Sequence, residues 1–235
     1  MNTLLTLQLT AHLLADFNFQ PQKWCDIKER KIISKEHLYH TLVVFICSWI
    51  FSLILSFWWV ALIISLCHLV IDVAKSYLFK KENYKKFLFF IDQALHITII
   101  TGGVFLFSRN EAIHFLFSVP INVVYILFAL IACTKPSNVF IKNYMEANNI
   151  ISAKKKDNTL LKAGRVIGSL ERIISFSLIL FNQFAAVGFI IAAKSILRFR
   201  DTDTAKTEYL LIGSLLSFGI AILLGIAYCK LLYLK

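Results

Sequence analysis

The chain has no CxxC pair, no Gly-rich phosphate loop behind a strand and no internal repeat, and acidic residues are few: 14 Asp and Glu against 25 Lys and Arg. Each absence removes a class of protein. The five cysteines, Cys25, Cys47, Cys67, Cys133 and Cys229, are scattered and lie mostly in apolar segments, so they read as buried thiols, not as a disulfide or zinc framework. Without a P-loop pattern, Gly102, Gly103, Gly164 and Gly168 are expected to permit close helix contacts instead of cradling phosphate. The Met-Asn-Thr start lacks both a basic stretch and a small-x-small cleavage site, so the first apolar segment is expected to be kept as a helix. The formal charge of +11 forms no amphipathic stripe. Lys and Arg sit in short segments between apolar runs, which argues against a nucleic-acid partner.

Those apolar runs dominate the chain. At 58% hydrophobic residues over 235 positions, with a mean hydropathy of +0.69, the composition exceeds the roughly half-apolar make-up of soluble domains and places the protein in a lipid bilayer. A spanning helix needs about 20 largely apolar residues. The sequence predicts an all-α, polytopic transmembrane helical bundle with about eight membrane helices, at 3–19, 39–57, 58–79, 87–107, 113–133, 165–180, 184–199 and 208–232. The segments between them alternate between basic and nearly neutral, and the positive-inside tendency puts the basic set in the cytoplasm with both termini outside. The long polar stretch at 135–164 divides an N-terminal membrane region, 1–134, from a C-terminal three-helix region, 165–235. It reads as a cytoplasmic linker, with a short surface helix at 137–145.

Ionisable side chains in hydrocarbon are costly and mark a function or a partner. The front half carries several at one spacing: His12 and Asp16 form HxxxD, His68 and Asp72 form HxxxD with Lys75 close behind, and Asp92 and His96 form DxxxH. A spacing of four puts both members of each pair on one helical face, about 6 Å apart. Counted from the proposed cytoplasmic ends at about 1.5 Å per residue, Asp16 lies about 4 Å deep, His12, Asp72 and Asp92 about 10 Å, and His68 and His96 about 13–17 Å. The three pairs are therefore expected to meet in the cytoplasmic half. His40, at the start of the second helix, is expected to cap them, whereas His37 reads as a surface histidine or a ligand and His114 as an interfacial residue.

Neutral imidazole with carboxylate suits Zn, Mn or Fe, and a cation makes ionised Asp tolerable in a low-dielectric site. The expected ligands are His12, Asp16, His40, His68, Asp72, Asp92 and His96, holding one or two divalent ions. Asp72 and Asp92 are the candidate catalytic or bridging carboxylates, and Lys75 the candidate catalytic group facing a substrate anion. The competing structural reading has these residues paired with one another, joining helices by hydrogen bonds. In the back half, Glu171, Arg172, Lys194 and Arg198 form a candidate basic pocket for phosphate or a lipid head group. There too a structural alternative stands: a neutralising pair of Glu171 with Lys194 or Arg172.

The segments LTAHLLADFNFQPQKW, HLVIDVAK and FIDQALH resemble the DUF3307 family of uncharacterised bacterial membrane proteins. The later segments AGRVIGSLERI, VGFIIAAKSILRF and TEYLLIGSLLSFGIAILLG resemble the C-terminal region of longer members. The resemblance implies a multi-pass protein of the bacterial inner membrane. Its pattern points to His12, Asp16, Gln20, His40, His68, Asp72, Lys75, Asp92, Gln93 and His96, with Gln20 a candidate substrate contact. The front half is similar, more distantly, to small bacterial inner-membrane proteins described as metal-dependent hydrolases.

These readings converge on a metal-dependent hydrolase that acts on a lipid-linked or phosphorylated substrate from the cytoplasmic side. A transporter with an Asp-lined path, a membrane scaffold using the 135–164 segment and a di-iron oxidase are the alternatives. The chain lacks the DxxDGxxAR signature of CDP-alcohol phosphotransferases and the paired Asp-rich motifs of intramembrane prenyltransferases, so neither class applies.

Overall fold

The computed structural model describes residues 1–79, 85–150, 158–198 and 204–233, with backbone only at 85, 158–162, 197–198, 204–207 and 233. Regular structure among the described residues is entirely helical. The helices are α1 (Asn2–Leu13), α2 (Gln22–Arg30), α3 (Lys35–Ser52), α4 (Trp58–Leu78), α5 (Lys85–Asn110), α6 (Ile121–Ala132), α7 (Lys135–Ala147), α8 (Asn158–Leu180), α9 (Phe184–Arg198) and α10 (Thr204–Tyr233). A π turn, Leu14–Asn18, extends α1, and a 3₁₀ turn, Leu55–Phe57, precedes α4. The chain forms two units, Met1–Phe128 and Ala129–Lys235. Helix α7 belongs to the second, where Pro136, Ser137, Met145 and Ala147 are buried, so the first part of the expected 135–164 linker is packed structure.

Among the described residues, three helical stretches, Leu55–Leu78, Lys86–Asn110 and Glu208–Leu232, are long and apolar enough to cross a membrane. A fourth arises if α6 and α7, bent by 46° at their junction, count as one broken span. The chain is thus a helical membrane protein, with fewer such spans than the eight expected. The difference is one of length and charge. At about 1.5 Å per residue, the 12 residues of α1 and the 15 of α9 fall short of a hydrocarbon core of about 30 Å. Helix α3 spends its first turns on Lys35, Glu36, His37 and His40 before it becomes apolar. It ends at Leu53, whose φ of 56° is a left-handed stop, and the Ser52 hydroxyl accepts the Ile54 N–H across the turn.

In the front unit α1, α3, α4 and α5 pack around two buried clusters. The larger joins Leu4, Ile54, Phe57, Val60, Ala61, Ile64, Ile100, Val104 and Phe107; the smaller joins Ala11, Ala15, Val44 and Cys47. Gly103 lets α5 approach α4, since a Cβ there would meet Ile64 and Val60 at 3.2 Å. Gly102 and Gly164 have nothing within 4 Å of a built Cβ and play no such part. In the back unit Gly225 on α10 lies tightly against α8, since a Cβ there would sit 2.6 Å from Ile179.

Candidate metal centre

Gln8, His12 and Asp16 recur at every fourth position of the first helical run, so they share one face. The run widens into its π turn at Leu14, and Asp16 lies inside that turn; single π turns are frequent at functional sites. Facing it, α3 supplies His40, α4 supplies His68 and Asp72, and α5 supplies Asp92 and His96. All seven expected ligands are therefore brought together from four helical segments. Each histidine of the set is at most 4% exposed.

Asp16 is the hub. Its carboxylate oxygens lie 3.6 Å from His12 Nδ1, 3.4 Å from His40 Nε2, 3.5 Å from His68 Nε2 and 3.8 Å from His96 Nδ1. His40 and His68 bring their Nε2 atoms within 3.1 Å of one another, and the rings of His68 and His96 stack at 3.8 Å. Three overlapping ligand groups result: His12, Asp16, His68 and His96; His40, His68 and Asp72; and Asp72, Asp92 and His96. In each, the ligand atoms all lie within 4.8 Å of one another.

Buried polar atoms are almost always hydrogen-bonded, because desolvation without a partner is costly. Here Asp16 Oδ1, His12 Nδ1, His40 Nδ1, Asp92 Oδ1 and both ring nitrogens of His96 are buried with no hydrogen-bond partner. Hydrogen bonds that join the helices, His12 with Gln93, His40 with His68, Asp72 with Lys28 and Asp92 with Lys75, leave these atoms over. A cation among them would satisfy several at once, and imidazole with carboxylate is a donor set for Zn, Mn or Fe.

Gln93 sets the orientation of this group. Its amide nitrogen faces Asp92 Oδ2 at 3.2 Å and Asp16 Oδ2 at 3.5 Å, both acceptors, so its oxygen must face a donor. That donor is His12 Nε2, at 3.2 Å. The proton thus sits on Nε2 and the His12 Nδ1 lone pair is directed at Asp16, as metal-binding histidines are held elsewhere.

The other two carboxylates carry lysines. Asp72 pairs with Lys28, a buried side chain, and Lys75 donates to Asp92 Oδ2 at 2.7 Å. Lys28 was not among the residues expected from sequence, because 23–35 reads as a basic loop. Pro21 instead starts the short helix α2, and its position 28 points inward. With its amide turned to satisfy both ends, Gln20 donates to the Asp16 carbonyl oxygen at 3.1 Å and accepts from Lys28 Nζ at 2.7 Å. Gln20 thereby holds Lys28.

His37 is not a surface histidine. It is 1% exposed and lies between the Ser34 hydroxyl at 3.0 Å and the Ser76 hydroxyl at 3.1 Å. Burial, then the charge of Lys28, holds its imidazole below the ordinary range. Ser76 in turn donates to the Asp72 carbonyl oxygen, so His37 braces α4 from the side. His114 is exposed in the segment after α5, ahead of α6 and not within a 113–133 helix.

In the back unit, Arg172 is 1% exposed and engaged by protein acceptors: Cys133 O at 2.6 Å, Asn138 Oδ1 at 2.6 Å, Ser217 Oγ at 2.8 Å, Ser169 Oγ at 3.3 Å and Thr134 O at 3.4 Å. Two of these are carbonyls at the bend between α6 and α7, where a helix end leaves acceptors free. Lys194 pairs with Glu171, the neutralising alternative read from the sequence. The side chain of Arg198 lies outside the described residues.

The family described as "Protein of unknown function (DUF3307)" matches residues 4–124, just over half of the 235-residue chain. The match covers all seven clustered residues and lies within the front unit. No curated protein and no solved structure matches the chain.

Proposed function

We propose that this chain, which belongs to the DUF3307 family, is a membrane-embedded metal-dependent hydrolase acting on a phosphorylated or lipid-linked substrate. The observation that carries the reading is the set of buried, unpartnered nitrogen and oxygen atoms around Asp16. A divalent ion, Zn, Mn or Fe, would supply there a polarised water and charge neutralisation. Asp92 contributes the base: Oδ2 is held by Lys75 and Gln93, while Oδ1 is bare and takes the proton of the attacking water. The water oxygen bonds to phosphorus, the bond to the leaving alcohol breaks, and that alcohol leaves with the proton. Lys75 has the more open of the two lysine side chains, 34% exposed, and steadies the phosphoryl charge.

The packing supports an opening on one side only. Leading away from the centre, three helices carry apolar side chains into one cluster: Leu4 beyond His12, Ile64, Val60 and Phe57 beyond His68, and Ile100, Val104 and Phe107 beyond His96. These side chains make an apolar plug over the centre. Charged groups, including Lys28 and Lys75, gather at the opposite end, read here as the cytoplasmic side of a bacterial inner membrane. A plugged pathway weighs against a channel. The shorter apolar helices are read as membrane-embedded too, which would restore the count of about eight.

The test is hydrolysis of a lipid phosphomonoester in mixed micelles by purified protein, with metal content measured in parallel. Phosphate release should require a divalent metal and vanish in His68→Ala and Asp72→Ala. Protein that binds no metal and releases no phosphate from any phosphoester offered would end the hydrolase reading. Metal or proton flux into liposomes that is lost in Asp72→Asn would replace it with transport.

A further inference from the structure

The seven ligands look sufficient for two ions, yet their charges and lone pairs are not shared equally. Asp72 is neutralised by Lys28 and Asp92 by Lys75. Among the described residues Asp16 has no lysine or arginine within ion-pair distance; it is ringed by four imidazoles instead. We propose that the centre takes a single divalent ion, at Asp16, and that Lys28 and Lys75 are resident cations standing where a dinuclear centre would carry its second metal. The proposal rests on the metal reading above and narrows it.

Three observations carry it. Ligands about 2.1 Å from a tetrahedral ion lie about 3.4 Å apart, and the contacts of Asp16 with His12, His40 and His68 are 3.6, 3.4 and 3.5 Å. That spacing suits an ion with little rearrangement. Next, the nitrogen that His40 and His68 each turn to Asp16 is the same Nε2 that faces Asp72 Oδ2, at 3.8 and 3.9 Å. One imidazole nitrogen has one lone pair for a metal, so an ion at Asp72 would take its histidines from the ion at Asp16. A second ion between Asp72, Asp92 and His96 would stand beside two carboxylates that Lys28 and Lys75 already neutralise, and the ammonium charges would oppose it.

The unpartnered atoms fall the same way. Asp16 Oδ1 and His12 Nδ1, which face one another, are both unpartnered, as are the two nitrogens of His96, whose Nδ1 also faces Asp16, whereas Asp72 contributes none. Lys28 is moreover held in place from behind, by the Gln20 amide oxygen. It is a built part of the site, not a surface side chain that has fallen in. Lys28 is therefore a positioning residue: it fixes Asp72 and supplies a positive charge that no chelator can remove.

The experiment is elemental analysis and equilibrium metal titration with Zn and Mn on the full-length protein in detergent or nanodiscs, with helicity and size-exclusion profiles as folding controls. One ion per chain is expected in the wild type, retained in Asp72→Asn and lost in Asp16→Asn. His12→Gln provides a second route to loss if Asp16→Asn does not fold. Two ions per wild-type chain, or an ion lost in Asp72→Asn but kept in Asp16→Asn, would overturn the one-ion assignment and leave the metal reading standing. No binding in any form would remove both.

Discussion

The Gln93 amide oxygen takes the Nε2 proton of His12 at 3.2 Å, and the opposite ring nitrogen, Nδ1, faces Asp16 at 3.6 Å. A residue on α5 thereby decides which atom of a histidine on α1 is available as a ligand. Gln93→Leu should weaken metal affinity about 10–100-fold, the usual effect of removing such a supporting hydrogen bond. Gln93→Glu should weaken it less, because a carboxylate still accepts from His12. Titration with Zn separates the two; equal affinities in all three proteins would show that Gln93 orients nothing.

Metal removal should be visible in stability. An ion that binds only the folded state stabilises it by about 2.7 kcal/mol at 100 times its dissociation constant. Chelation should therefore lower the thermal midpoint of the wild type and leave Asp16→Asn unmoved. A chelator effect of the same size in both proteins would place the ion elsewhere.

Lys28 and Asp72 should behave as a coupled buried pair. Removing one partner leaves the other charge uncompensated, which costs roughly 3–5 kcal/mol. Lys28→Met alone should be strongly destabilising, and Lys28→Met with Asp72→Asn should recover much of the loss. Additive losses in a denaturation cycle would show that the pair is not coupled.

Arg172 is read as a structural residue, since five protein acceptors surround it and two are carbonyls at the α6–α7 bend. Arg172→Met should destabilise the protein by roughly 2–4 kcal/mol, the scale of one or two buried acceptors left unpaired. Arg172→Lys should rescue little of this, because an ammonium lacks the planar fork. The same experiment measures phosphoester hydrolysis; a folded, fully stable Arg172→Met protein with a raised KM would instead mark a substrate contact.

Gly225→Val should cost about 1–3 kcal/mol by overpacking, because even a Cβ at that position meets Ile179 at 2.6 Å. Ile179→Ala in the same chain should relieve part of it. Gly102→Val, with open space around the site, should be close to neutral by thermal melting.

Much of the centre was legible in the sequence because its ligands come in helical pairs. A spacing of four is a local property, so His12 with Asp16, His68 with Asp72 and Asp92 with His96 share faces before any fold is known. Lys28 was not legible. It belongs to no pair, and its segment looks like an ordinary basic loop until Pro21 is seen to start a helix that turns position 28 inward. The span count failed for a related reason: windows of apolar residues do not register where a helix stops, as α3 does at Leu53, or widens, as the first run does at Leu14.

The sequence by itself determined the bilayer setting, the all-helical class and the residues of the metal-like cluster, since composition and the 3.6-residue repeat act over short stretches of chain. Only the tertiary structure decided how those residues divide their charges: Asp72 to Lys28, Asp92 to Lys75 and Asp16 to four histidines. Lys28 and Asp72 are 44 positions apart. Which cation reaches a carboxylate at that separation depends on how helices pack, and electrostatic energy follows distance in space, not along the chain.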